Sequence, residues 1–203
     1  MQLEYPVSEI FHSKQGEGHF VGGCMAFVRL AGCSVVDCHI RRECDEAPWT
    51  MTARMRAEMI VARVRELPPV CAVCITGGEP TDHDLLPIIC ALREAGYRVH
   101  LETSGARSVG GYPLDWLTVS PKQPGYVQRQ GHTLKLVVRP EMGWDAIDSW
   151  SRGTSFFHYY LQPLYIENEP VNLPQVMAML DDLRNVGGKW FLSTQAHKTW
   201  GVR

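Results

Sequence analysis

The run Cys71-Ala72-Val73-Cys74-Ile75-Thr76-Gly77-Gly78-Glu79-Pro80 decides the fold. Residues 71–76 are apolar and partly β-branched, of strand length, and two glycines and a proline end them at once. Residues 82–96 then predict a helix, with Asp82 placed to cap its start and Gly96 to stop it. The same pattern recurs on both sides. Residues 25–30 precede it as a strand, and residues 98–102, 116–120, 133–138, 156–161 and 190–194 follow. Residues 52–67 predict another helix, with Met55, Met59, Val61 and Val64 near helical spacing. Residues 171–187 predict a third, with Val176, Met179, Leu180 and Leu183 on one face. Apolar strands alternating with helices imply a parallel sheet covered by helices. A closed eightfold barrel takes about 250 residues, and the chain has 203. The expectation is an α/β fold: a partial, modified (βα) barrel of about six mostly parallel strands, in a single domain over residues 1–203.

Apolar residues make up 45% and charged residues 21%, which is globular composition. A formal net charge of −2 gives no basic surface for nucleic acid or an anionic membrane. No apolar run has the length of a spanning helix, and the first residues lack a basic-then-apolar signal pattern, so a cytoplasmic setting is expected. Seven cysteines are an odd number for a disulfide framework, so reduced thiols with a metal role fit better.

In folds of this class the chemistry sits in the loops after the strands. The loop after residues 25–30 holds Cys33, Cys38 and Cys44. Three thiolates fit a [4Fe–4S] cluster held at three irons, with the fourth open to a ligand. They also fit a zinc site if Cys24 or His39 supplies a fourth ligand. Spacing does not choose between these, and Arg41 and Arg42 would favour the thiolate form in either case. After residues 71–76, Gly77-Gly78-Glu79-Pro80 offers a backbone that a ligand can approach closely and one carboxylate suited to an ammonium group.

A three-cysteine loop after the first strand and GGEP after the second resemble the radical S-adenosylmethionine (SAM) superfamily. The series narrows further. Ser13-Lys14-Gln15-Gly16-Glu17-Gly18, Phe27-Val28-Arg29-Leu30, Gly32-Cys33, Cys44-Asp45, Thr76 to Pro80, Glu102-Thr103-Ser104-Gly105, Ser120-Pro121-Lys122, Leu161-Gln162-Pro163 and His197-Lys198 occur in order. From about Ile10 onward this resembles the 7-carboxy-7-deazaguanine synthases, the radical SAM enzymes of queuosine-type 7-deazapurine biosynthesis.

The resemblance implies a carbon–nitrogen lyase that contracts 6-carboxy-5,6,7,8-tetrahydropterin to 7-carboxy-7-deazaguanine and ammonia. It implies a [4Fe–4S] cluster on Cys33, Cys38 and Cys44. It implies SAM contacts at Glu43, Cys44, Asp45, Gly78, Glu79, Ser120, Pro121, Lys122, Gln162, Pro163, Leu164 and Tyr165. Lys14, Gln15, Gly16, Glu17, Arg29, Thr76, His197 and the C-terminal Arg203 fall at substrate positions. A flavodoxin- or ferredoxin-type electron donor and a homodimer are implied as partners. Two positions depart from the family pattern. The cysteine spacing is C-x4-C-x5-C where C-x3-C-x2-C is common, and Glu46 stands where a threonine usually helps hold Mg²⁺. A carboxylate there can serve as a hard anionic ligand, so Glu46 is the Mg²⁺ expectation.

Arg29 on an apolar strand needs a carboxylate partner. Cys71, Cys74 and Cys90 read as core thiols, Cys24 as packing, and His39 as a solvated loop residue. His83, His100, His132 and His158 have no ligand spacing and read as structural or surface. A glycyl-radical activase and a non-catalytic metal-binding module are the competing readings. The SxQGEG, SPK and terminal HK pattern speaks against the activase, and the module leaves GGEP, ETSG and SPK unexplained.

Overall fold

A computed structural model describes residues 3–44 and 50–202. Its main sheet has the order β11-β8-β7-β6-β5-β4-β2-β1-β3. The seven parallel strands are β2 (Cys24–Leu30), β4 (Ala72–Gly77), β5 (Arg98–Thr103), β6 (Trp116–Val119), β7 (Gln130–Val138), β8 (Ser155–Pro163) and β11 (Trp190–Leu192). All seven lie where the apolar runs place them. The sheet is open, with β11 and β3 at its edges.

Two strands of this sheet escape the sequence reading. β1 (Tyr5–Lys14) runs antiparallel to β2, with Val7 opposite Leu30 and Lys14 opposite Cys24. Its mixed sequence gives no continuous apolar run, because much of the strand is only half-buried. β3 (Ala53–Met55) pairs antiparallel with the start of β1. It occupies the first part of the helix expected over residues 52–67. The Thr52 hydroxyl donates to the carbonyls of Val7 (3.1 Å) and Ser8 (2.7 Å), tying this stretch to β1. The helix proper, α1, is Ala57–Arg65, and its buried face is Ala57, Ile60, Val61 and Val64, an i, i+3, i+4, i+7 stripe. Met59 is exposed. A short antiparallel pair, β9 (Tyr165–Ile166) and β10 (Glu169–Pro170), forms a second sheet.

Helix α2 is Leu86–Glu94, shorter than expected, and Asp82 does not cap it. Asp82 closes a 3₁₀ turn, Pro80–Asp82, and its carboxylate accepts from Ser34 in the cysteine loop (Ser34 N, 2.8 Å; Ser34 Oγ, 2.6 Å) and from Arg107. Gly96 ends the turn after α2 as expected, at φ +89°. α3 (Trp144–Ser151) links β7 to β8, and α4 (Leu173–Leu180) links β8 to β11. The expected helix over residues 171–187 stops at α4, because Asp182 caps a separate 3₁₀ turn that leaves Leu183 exposed. The closing helix is α5 (Ala196–Trp200).

Alternation along the strands sends one set of side chains outward into the main core. Val28 and Leu30, Val73 and Ile75, Val99 and Leu101, and Leu134 and Leu136 pack there with Ile60, Ile88 and Leu92 of the helices. The other set points to the inner face, which is polar near its upper end. Side chains from β4, β5, β7 and β8, and from the loops after β1, β2, β6 and β11, all line one cavity, so the sheet curls around it.

Candidate active site

That cavity, about 210 Å³, lies at the carboxyl ends of the parallel strands. The thiols of Cys33, Cys38 and Cys44 line it, together with Thr76, Gly77, Gly78 and Glu79 after β4. Gly77 is dictated by packing. A Cβ there would overlap the carbonyl oxygen of Leu30 on β2 and stand 3.2 Å from its carbon. The adjacent amides hold the cysteine loop, since Gly78 N donates to Leu30 O (3.1 Å) and Glu79 N to Gly32 O (2.9 Å).

Among the described residues no three His, Cys, Asp or Glu side chains stand close enough to share one metal ion. The fourth ligands that zinc would need are also engaged. The Cys24 thiol accepts from Lys14 Nζ at 2.8 Å. His39 is not a solvated loop residue: its ring nitrogens lie 2.9 Å from the Lys122 carbonyl and 3.1 Å from that of Val137. Three thiols facing one cavity suit a cluster, where each sulfur binds a different iron. Burial raises the Cys33 thiol above its usual range, a cost that iron coordination would remove.

Of the expected SAM contacts, Cys44, Gly78, Glu79, Ser120, Lys122 and Gln162 line this cavity. Glu79 is 1% exposed and both its oxygens are taken. Oε1 accepts from Thr81 N (3.0 Å), Thr81 Oγ1 (2.6 Å) and Thr103 Oγ1 (2.6 Å), and Oε2 from Ser104 N (2.8 Å) and Ser104 Oγ. The GGEP carboxylate therefore bolts the loop after β4 to the end of β5. Lys122 Nζ donates to Ser120 Oγ at 2.9 Å, and burial lowers its pKa. Five other expectations are not brought to the cavity lining. Glu43 pairs with Arg139 (Oε2–Nη1, 3.1 Å). Pro121, Pro163, Leu164 and Tyr165 are buried outside it, and Leu164 N donates to Asn172 Oδ1 at 2.8 Å. Asp45, Glu46 and Arg203 lie outside the described residues.

A second cavity of about 150 Å³ adjoins the first and shares Glu17, Thr76, Glu102 and Gln195 with it. Every described substrate expectation lines it: Lys14, Gln15, Gly16, Glu17, Arg29, Thr76 and His197. They come from both ends of the chain, and Ala196 N donates to Gly16 O (2.9 Å) where those ends meet. A Cβ on Gly16 would overlap the His197 ring. Arg29 has the carboxylate partner its strand position called for, with Nε donating to Glu9 Oε1 at 3.0 Å.

Three residues at the junction of the cavities carry no role in the sequence reading. Gln15 Nε2 donates to Glu102 at 2.8 Å, Gln195 Nε2 donates to Glu17 Oε1 at 2.6 Å, and Lys135 of β7 forms a buried ion pair with Glu17. Burial alone would raise the Glu17 pKa, but the Lys135 charge and hydrogen bond, with Gln195 and His197, together outweigh it and bring the carboxyl to about 2. Glu102 stands inside the ETSG motif, and Lys135 is a cation in an apolar strand like Arg29, so both had a signal. Gln195 had none. Of the core thiols expected, Cys74 is buried, Cys90 half-buried and Cys71 exposed.

No protein-family model matches the chain. A 7-carboxy-7-deazaguanine synthase of Synechocystis sp. is 35% identical over 211 residues, covering 100% of this chain and 96% of the relative. One of Bacteroides thetaiotaomicron is 33% identical over 197 residues, covering 97% and 98%. Among solved structures, QueE from Escherichia coli is similar with a TM-score of 0.70 at 27% identity, over 96% of this chain and 95% of that one. With three thiols around one cavity, a polar second cavity beside it and full-length relatives of a single kind, the chain belongs to the 7-carboxy-7-deazaguanine synthase family of radical SAM enzymes.

Proposed function

We propose that this chain, as one radical SAM domain, converts 6-carboxy-5,6,7,8-tetrahydropterin to 7-carboxy-7-deazaguanine with loss of ammonia, in queuosine-type biosynthesis. The continuity of the two cavities carries the reading. The thiols and GGE line one, and the substrate positions line the other, with Thr76, Glu17 and Glu102 at the seam. A non-catalytic metal-binding module would not need the second cavity, and the SxQGEG, SPK and HK pattern that speaks against a glycyl-radical activase lies largely along it.

Cys33, Cys38 and Cys44 would hold the [4Fe–4S] cluster. When bound, the cluster and SAM supply a 5′-deoxyadenosyl radical that takes hydrogen from the pterin ring. The chain's own residues do the rest. Gly78, Ser120, Gln162 and Glu79 shape the wall on which SAM would lie. The half-buried Lys122 ammonium, whose pKa desolvation lowers, would be stabilised by SAM's carboxylate. Arg29 would clamp the pterin carboxylate, a planar fork against a planar anion. Gln15, Glu17 and Glu102 offer acceptors to the 2-amino edge of the pterin. Placement matters because a primary alkyl radical reacts with whatever lies nearest.

Mg²⁺ at Glu46, a flavodoxin- or ferredoxin-type donor, a homodimer and a cytoplasmic setting complete the proposal. Phe191 (54%) on the edge strand β11 and Leu183 (85%) in the turn before it are exposed apolar side chains that a second copy would cover. No helix among the described residues is long and apolar enough to cross a membrane.

The test is anaerobic reconstitution with iron and sulfide, then incubation with dithionite, SAM, Mg²⁺ and 6-carboxytetrahydropterin, with products read by mass spectrometry. The expected result is the mass of 7-carboxy-7-deazaguanine, absent in Cys33→Ala and Cys44→Ala. Deoxyadenosine without that product would overturn the substrate.

A further inference from the structure

Lys135 sits in the middle of β7, 4% exposed, where its neighbours Leu134 and Leu136 face the core. Its ammonium enters the inner face, lines the cluster-side cavity and meets Glu17 across the seam. It is not among the positions that the family resemblance brings to the cofactor or to the substrate. We propose that Lys135 is a positioning residue that fixes the Glu17 and Glu102 carboxylates, by its charge, where the two cavities join. The inference rests on the pterin reading above.

The surroundings are built for this. Glu17 Oε2 takes the Lys135 ammonium, and Oε1 accepts from Gln195 (2.6 Å) and Gln162 (3.2 Å). Gln162 is itself held by Ser193, whose hydroxyl donates to its carbonyl oxygen at 2.8 Å. Gln15 ties the Glu17 backbone to the Glu102 carboxylate, accepting from Glu17 N (3.1 Å) and donating to Glu102 Oε1 (2.8 Å). The titratable groups that face Lys135 are Glu17, Glu102, Lys122 and the Cys74 thiol, and His197 faces Glu17. Burial disfavours the ammonium, yet the charges of Glu17 and Glu102 hold it above its ordinary pKa. Two carboxylates in one buried site cannot both stay ionised without a cation between them. Removing Lys135 would therefore raise the Glu17 pKa towards neutrality, and a protonated carboxyl is a poorer acceptor for the pterin's amino edge.

The experiment measures the dissociation constant of 6-carboxytetrahydropterin from reconstituted, unreduced protein between pH 6 and 9, with SAM affinity and melting temperature alongside. Wild-type protein should bind with little pH dependence. Lys135→Met should weaken pterin binding about 30-fold at pH 7, the loss of one hydrogen bond to a charged group, and recover as pH rises. SAM affinity should stay near wild type. Lys135→Arg should restore the flat profile. If Lys135→Met fails to fold, Lys135→Met/Glu17→Gln removes both charges together, and its binding should be weak and flat with pH. Wild-type affinity in either variant overturns the inference, as does a loss in Lys135→Met that is the same at every pH. Wild-type protein that binds no pterin overturns the substrate reading instead.

Discussion

Replacing Glu79 by glutamine separates two jobs that a GGEP carboxylate can have. The amide keeps one acceptor oxygen and puts an NH₂ where the other stood. Whichever way it turns, at least two of the donors from Thr81, Thr103 and Ser104 lose their acceptor. Hydrogen bonds to a charged group are each worth about 1.5–3 kcal/mol net. The threonine and serine hydroxyls can rotate to accept from the new NH₂, but the Thr81 and Ser104 backbone amides cannot. A loss of about 3–4 kcal/mol is therefore expected, the low part of the range for two bonds. For a domain of this size that lowers the melting midpoint by about 6–16 °C, at about 2–4 °C per kcal/mol. The assay is thermal unfolding of the protein without SAM, followed by tryptophan fluorescence, with SAM affinity measured on the folded variant. If Glu79 served only to bind the SAM ammonium, the midpoint would hold and affinity alone would fall. A midpoint within about 2 °C of wild type would refute the clamp, since even one lost charged hydrogen bond exceeds that shift.

Gly77→Ala should cost about 3 kcal/mol by urea unfolding, because the clash is with the backbone of β2 and has no rotamer to escape into. Gly16→Ala meets only the His197 side chain, so its unfolding free energy should stay near wild type while the KM for the pterin rises about tenfold, one lost hydrogen bond. Burial lowers the His100 pKa from 6.5 to about 4. The unfolded chain thus takes up a proton first as pH falls, and the stability from neutral His100 is complete above pH 6.5 and lost towards pH 4. Unfolding free energy should drop by about 3 kcal/mol over that window on this account, and His100→Leu should remove that part of the slope. Arg29→Lys keeps the charge but loses the fork, so the KM for the pterin should rise at least tenfold, about 1.4 kcal/mol, with uncoupled SAM cleavage unchanged.

Most of the seven parallel strands were legible because their largely buried stretches read as short, mainly apolar runs. β1 was not, since a strand with half-buried side chains on an antiparallel edge has no such run. Helix starts were misplaced for a related reason. Ala53, Arg54 and Met55 favour a helix on their own, and pairing with β1 overrides that preference. The motif residues were legible one at a time. Asp82 looked like a helix cap from its position in the chain, but its partners Ser34 and Arg107 come from other loops.

Sequence by itself determined the α/β class, the cysteine loop, GGEP and most residues of the two cavities, because strand burial and close backbone approach leave local marks. Tertiary structure alone decided how Lys14 to Glu17 and His197, from opposite ends of the chain, are joined, through Ala196 N on Gly16 O. It also decided that Glu79 is spent on Thr81, Thr103 and Ser104, and that Lys135 stands against Glu17. Those facts depend on which strand ends meet when the sheet curls, and long-range ion pairing leaves no period in the chain.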